Sequence, residues 1–298
     1  MQQERTLYQL NARNGGYFYA GMIALYVLIS FLGQALMGAL APTDSTVYIA
    51  VCSTFSALSM TAVLVFAMRF SGKSLKFFVG DNKGAKFIPL SLLLSVAMFC
   101  GLGFVNDSIA NAFVSLGLKV NGINVPLETT GQFILFSVLI ALVPAVIEEL
   151  FFRGLLLKCL DRTKTIYAVL ISALCFSLYH ASVTQLVYQF VYGVALALLF
   201  KTAKSILPCI VAHFANNFAV LCFQFFGVNV DLYDFILILV GLICLLGFFV
   251  MVVYNNLKAV KDGESQQPVK GEIKSFFFPS AVFALVICIV LAVGGLLG

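Results

Sequence analysis

The chain has 298 residues, 61% of them hydrophobic and 10% charged, with a formal net charge of +5. Soluble domains carry roughly 25% charged residues, so a water-soluble globule is excluded, and the apolar fraction excludes disorder. What remains is a multi-span membrane protein, and the 18 Lys and Arg residues form no run long enough to suggest a nucleic-acid site.

The first 16 residues are mostly polar and lead into an apolar run longer than the core of a signal peptide, so no cleavable leader is expected. Nine apolar runs follow in order, at residues 17–40, 47–68, 87–104, 133–157, 166–182, 185–200, 206–226, 232–254 and 276–297. They are apolar on most faces and too long for barrel strands, so the expected fold is all-α: a polytopic transmembrane helix bundle of about eight to nine spans. Runs 166–182 and 185–200 fall short of the roughly 20 residues of a full crossing and suit helices tucked inside the bundle. With the N-terminus cytoplasmic, 16 of the 18 basic residues fall on inner segments, an asymmetry that predicts that orientation. Residues 105–131 read as a mildly apolar outer segment with a partial interfacial helix. Residues 1–254 therefore read as one membrane-embedded domain, 255–275 as a charged cytoplasmic linker, and 276–298 as a final transmembrane helix. The eight cysteines lie scattered in apolar runs without paired spacing, as small buried hydrophobes rather than disulfides or metal ligands.

The informative residues are those that an apolar helix carries at a cost. A charge at helix centre costs at least about 2.5–3.5 kcal/mol on insertion scales, so each is a functional candidate by default. Among the acidic residues only Glu148 and Glu149 lie well inside a run, and among the basic ones only Arg153; both histidines of the chain, His180 and His213, also lie in runs. Glu149 and Arg153 stand at i,i+4 and can neutralise each other, which leaves Glu148 about 100° round the helix and free to face something else. Phe176 with His180, and His213 with Asn217, show the same one-turn spacing. Three helices can thus turn polar faces to one interior. A buried carboxylate and an imidazole converging on water form a general base (Glu148 with His180), while a second imidazole and an amide can donate to a developing oxyanion (His213 with Asn217). No Ser or Cys nucleophile is required for such a hydrolase. The Glu149–Arg153 pair then supports the site, as does Phe176, which reads as packing or as a wall of the substrate groove.

The ordered set EExxxR (Glu148, Glu149, Arg153), FxxxH (Phe176, His180) and HxxxN (His213, Asn217) resembles the CAAX protease and bacteriocin-processing enzyme family of intramembrane endopeptidases, over about residues 130–225. The resemblance implies a protease core in that stretch. It also implies that Glu148 and His180 activate water while His213 and Asn217 stabilise the oxyanion, the same assignment as that reached from spacing. The expected activity is endoproteolysis of membrane-associated peptides, prenyl-like or bacteriocin-type, in or near the bilayer. The expected partners are a peptide or membrane-protein substrate and the lipid bilayer, without nucleic acid. No cofactor is expected; the alternative is a zinc enzyme with Glu148, His180 and His213 as ligands, a set that zinc chemistry allows although HExxH is absent. Outside proteolysis, a proton-coupled transporter or a non-catalytic membrane scaffold could carry the same intramembrane charges. The expected location is a plasma membrane, on the charge bias a bacterial one.

Overall fold

The computed structural model describes residues 9–120, 125–228, 234–261 and 270–297. We number its helices α1 (Ala12–Leu40), α2 (Thr46–Ser71, with one turn at 53–54), α3 (Leu75–Val79), α4 (Asn82–Ser115), α5 (Thr130–Cys159), α6 (Thr165–Tyr179), α7 (Leu186–Ala203), α8 (Leu207–Phe225), α9 (Asp234–Lys261) and α10 (Glu272–Leu296). Eight of these are long and apolar enough to cross a membrane, and α6 is a ninth, shorter apolar helix. Among the described residues the only extended pairing is an isolated antiparallel bridge between Gly80 and Ser205. The protein is an all-α polytopic bundle. Its outward faces expose large apolar side chains such as Phe31, Leu246 and Phe283, as lipid contact requires.

Three boundaries differ from the hydropathy pattern. Helix α4 runs through Asn106 and Asp107 to Ser115, so residues 105–115 of the segment expected at the outer interface continue the span; residues 121–124 lie outside the described residues. Helix α9 continues to Lys261, into the expected linker, and 262–269 likewise lie outside the described residues. Helix α6 ends at Tyr179, so His180 is the residue that closes it and not one inside it. In α4 and α9 polar side chains that end an apolar run do not end the helix, because the backbone ladder can continue into the interface.

Close packing of the bundle rests on small residues. Helices α4 and α9 meet at Gly101 and Gly241, where a Cβ on Gly241 would lie 2.2 Å from the Gly101 nitrogen. Helix α10 is seated against α1: a Cβ on Gly16 would lie 2.1 Å from the Phe276 carbonyl oxygen, and the Ala12 N–H donates to Glu272 Oε2 at 3.2 Å. Tyr19, fully buried, donates its O–H to the Cys175 carbonyl on α6 at 3.1 Å and lies 3.7 Å from Cys288 Sγ on α10. The final helix therefore packs into the bundle through α1 and α6. All eight cysteines are free.

Candidate active site

Helix α5 carries the two glutamates, and its start is written in the sequence. Thr129 and Gln132 form a capping box: Gln132 N–H donates to Thr129 Oγ1 at 3.2 Å and Thr129 N–H to Gln132 Oε1 at 2.9 Å. The Gln132 amide also donates to Thr46 Oγ1 at 2.9 Å, tying α5 to α2. Along α5 the ladder widens twice into π-helical turns, Ser137–Leu142 and Leu150–Leu156, on either side of the α-helical Val143–Glu149. The first precedes Pro144, which has no N–H to give the Ile140 carbonyl one turn back. Such turns frequently accompany functional sites because they re-aim side chains within an unbroken helix. In the second, Gly154 admits α3: a Cβ there would stand 2.9 Å from the Phe78 carbonyl oxygen.

Glu149 and Arg153 form the expected ion pair at 2.9 Å, with neither side chain exposed to any degree. Arg153 reaches further than its partner. A second N–H donates to the Gly193 carbonyl on α7 at 3.3 Å, and the guanidinium stacks 4.4 Å from the ring centroid of Phe176 on α6. One buried cation thus binds three helices. Gly193 lets α7 come close enough, since a Cβ there would lie 3.0 Å from Ala173 Cα.

Glu149 has a second partner that its spacing does not reveal. His213, on α8, donates Nδ1–H to Glu149 Oε1 at 2.9 Å, the same oxygen that receives Arg153. This bond fixes the ring so that Nε2 looks toward Glu148, 3.8 Å from its Oε2. Two carboxylates against one guanidinium leave the cluster one positive charge short of neutrality. Glu148 Oε2 is buried and without a protein partner.

His180 sits on the other side of Phe176. Its Nδ1–H donates to the Phe176 carbonyl at 2.8 Å, satisfying one of the orphan acceptors at the end of α6 and leaving the Nε2 lone pair for the site. The Phe176 ring lies edge-on to both imidazoles, 4.8 Å from His180 and 5.9 Å from His213 between centroids. Phe176 is fully buried, a wedge between the histidines and not the wall of an open groove. Among the described residues no carboxylate comes within ion-pair distance of His180.

Asn217, half-buried, donates Nδ2–H to the Ile140 carbonyl at 3.4 Å, the acceptor that Pro144 leaves without its usual donor. Its neighbour Asn216 points elsewhere: it accepts from the Tyr188 O–H at 2.6 Å, and its own amide donates to Asn217 Oδ1 at 3.5 Å. Tyr192, one turn beyond Tyr188, lies edge-on to His213 at 5.8 Å with a buried hydroxyl that has no partner. Tyr188, Tyr192 and Gly193 were not found from sequence, and Asn216 was set aside because only Asn217 stands at i+4 from His213. Two tyrosines one turn apart on a mostly apolar helix were the available signal.

The structure therefore brings Glu148, Glu149, Arg153 and His213 into one buried cluster, with His180 beside it across Phe176 and Asn217 one turn along α8. Among the described residues no group of three His, Cys, Asp or Glu side chains is arranged to hold a metal ion. His213 commits Nδ1 to Glu149 and keeps Nε2 turned toward Glu148.

Compared with known proteins, residues 130–219 match the family described as Type II CAAX prenyl endopeptidase Rce1-like, the family whose motifs the chain resembles. The match covers α5 to the middle of α8 and includes every candidate site residue. No curated protein and no solved structure matches the chain.

Proposed function

With an Rce1-like CAAX endopeptidase domain over residues 130–219 as the starting point, we propose that the chain is an intramembrane endopeptidase that hydrolyses membrane-associated peptides without a metal. The carrying observation is the buried cluster of Glu148, Glu149, Arg153 and His213, flanked by an imidazole whose Nε2 is left free. Glu148 and His180 together take a proton from water as its oxygen attacks the scissile carbonyl. The oxyanion then accepts hydrogen bonds from a protonated His213 Nε2 and from an amide N–H of Asn217. Collapse breaks the C–N bond, and the departing amine takes the proton held by Glu148 and His180. Glu149 stays ionised between Arg153 and His213 and holds the second imidazole in register. The charge asymmetry of the segments favours a cytoplasmic N-terminus, access from that side and a bacterial plasma membrane.

The test is cleavage of a quenched fluorescent peptide by the purified protein, wild type against Glu148→Gln, with and without chelator. The expected result is activity that survives chelation and falls by about 10²–10⁴-fold in Glu148→Gln. Full activity in Glu148→Gln would defeat the mechanism. Chelator-sensitive activity restored by zinc would transfer both imidazoles to the metal.

A further inference from the structure

At one end of the bundle the loop between α2 and α4 folds back on the ends of α5 and α7. Phe78 packs under Gly154, Lys158 donates to the Phe77 carbonyl, and the Asp81 N–H donates to the Lys204 carbonyl at 2.7 Å across the Gly80–Ser205 bridge. The segment is pinned in place, yet its outer side is open. Lys73, Lys76, Lys83 and Lys86 are all exposed, and among the described residues none of the four has an acidic partner. The one nearby carboxylate in the segment, Asp81, accepts from the Lys83 backbone N–H at 3.0 Å. Between the lysines, Leu75 and Phe77 are 47% and 37% exposed. Lys204 adds another exposed ammonium beside the bridge.

Position gives this pattern its meaning. The segment joins two spanning helices, and Lys83 and Lys86 stand in the first turns of the second, so the lysines lie where a span leaves the hydrocarbon. Ammonium groups without a carboxylate partner at that depth (Lys73 and Lys86 also lie 5.3 and 5.1 Å from the ring centroids of Phe77 and Phe87), interleaved with apolar side chains that can enter the acyl boundary, match an interfacial lipid-binding segment. We propose that residues 73–86 form a docking platform for anionic phospholipid headgroups, held rigidly against the far end of the glutamate-bearing helix α5. The occupant is anionic because four exposed ammonium groups lack acidic partners among the described residues, and it is a lipid because Leu75 and Phe77 present apolar surface beside them at the end of a span.

The experiment uses the full-length protein in nanodiscs of equal phosphatidylglycerol and phosphatidylcholine, with retained lipid counted by native mass spectrometry after release. Each lysine near a charged surface changes lipid affinity roughly fivefold. Wild type should retain phosphatidylglycerol over phosphatidylcholine by at least about tenfold. A Lys73→Gln, Lys76→Gln, Lys83→Gln, Lys86→Gln variant should lose most of that preference. A control with the same charge removed elsewhere, at Lys164, Lys258, Lys270 and Lys274, should keep it. Should the quadruple variant not remain monodisperse, Lys76→Gln with Lys83→Gln serves, at a smaller loss. Equal retention in the platform variant and wild type, or equal loss in both variants, would overturn the proposal.

Discussion

Arg153→Met tests the buried cluster most directly. Arg153 and Glu149 have no exposure, so each is ionised where water cannot reach it, and the pair is 2.9 Å apart. Methionine keeps much of the aliphatic stem, so loss of packing is minor and the change isolates the charge. Glu149 would keep only the His213 N–H, while the Gly193 carbonyl would lose its donor. Breaking a buried pair from one side destabilises by about 3–5 kcal/mol, and loss of the stacking on Phe176 acts in the same direction. Glu149→Gln alone strands the guanidinium and should destabilise by a similar amount. The double variant Glu149→Gln with Arg153→Met removes both charges and should fall short of the sum by about 2–3 kcal/mol. Equilibrium unfolding in mixed micelles measures all four corners of this cycle. An Arg153→Met protein within about 1 kcal/mol of wild type, or a coupling energy near zero, would show that water reaches the pair and would refute the argument.

Two further substitutions probe the backbone. Pro144→Ala returns an N–H one turn beyond Ile140 and so competes with Asn217 for that carbonyl; thermal stability should hold or rise while kcat falls about tenfold, less than the 10²–10³-fold typical of deleting an oxyanion donor. An unchanged kcat with the peptide substrate would mean that the Ile140 contact does not position Asn217. Gly241→Ala forces a Cβ to 2.2 Å from the Gly101 nitrogen and should destabilise by about 1–3 kcal/mol in a thermal scan, whereas Gly38→Ala, with nothing within 4 Å, should not.

The candidate site residues stand out in the sequence because charge inside an apolar helix has few structural explanations. Glu148, Glu149, Arg153, His180 and His213 stand out by that cost alone, and one-turn spacing alone gives the Glu149–Arg153 contact. The partnership of His213 with Glu149 is a different matter, since it depends on the register of α8 against α5, which no local pattern encodes. Spacing paired Glu148 with His180, whereas the nearest imidazole nitrogen to its carboxylate is that of His213. The π-helical turns are also invisible to a 3.6-residue reading, although Pro144 marks where one belongs. Helix ends at α4 and α9 were misjudged for one reason: Asn106, Asp107 and the charged residues after 254 signal the end of hydrocarbon, not the end of hydrogen bonding.

The seating of α10 against α1 bears on how the chain is made. Contacts such as Ala12 with Glu272 and Tyr19 with Cys288 join residues 260 and 269 positions apart. At the usual pace of about 5–20 residues per second, a ribosome needs roughly 10–50 s between releasing one partner and the other. Throughout that interval α1, with Gly16 shaped to receive the Phe276 backbone, resides in the bilayer with that surface open. The Tyr19 hydroxyl, meanwhile, can already find the Cys175 carbonyl once α6 is inserted. Newly made protein therefore passes through a stage in which the glutamate cluster is assembled and the first helix still lacks its cover, an opening that insertion factors or neighbouring membrane proteins can occupy before the last span arrives.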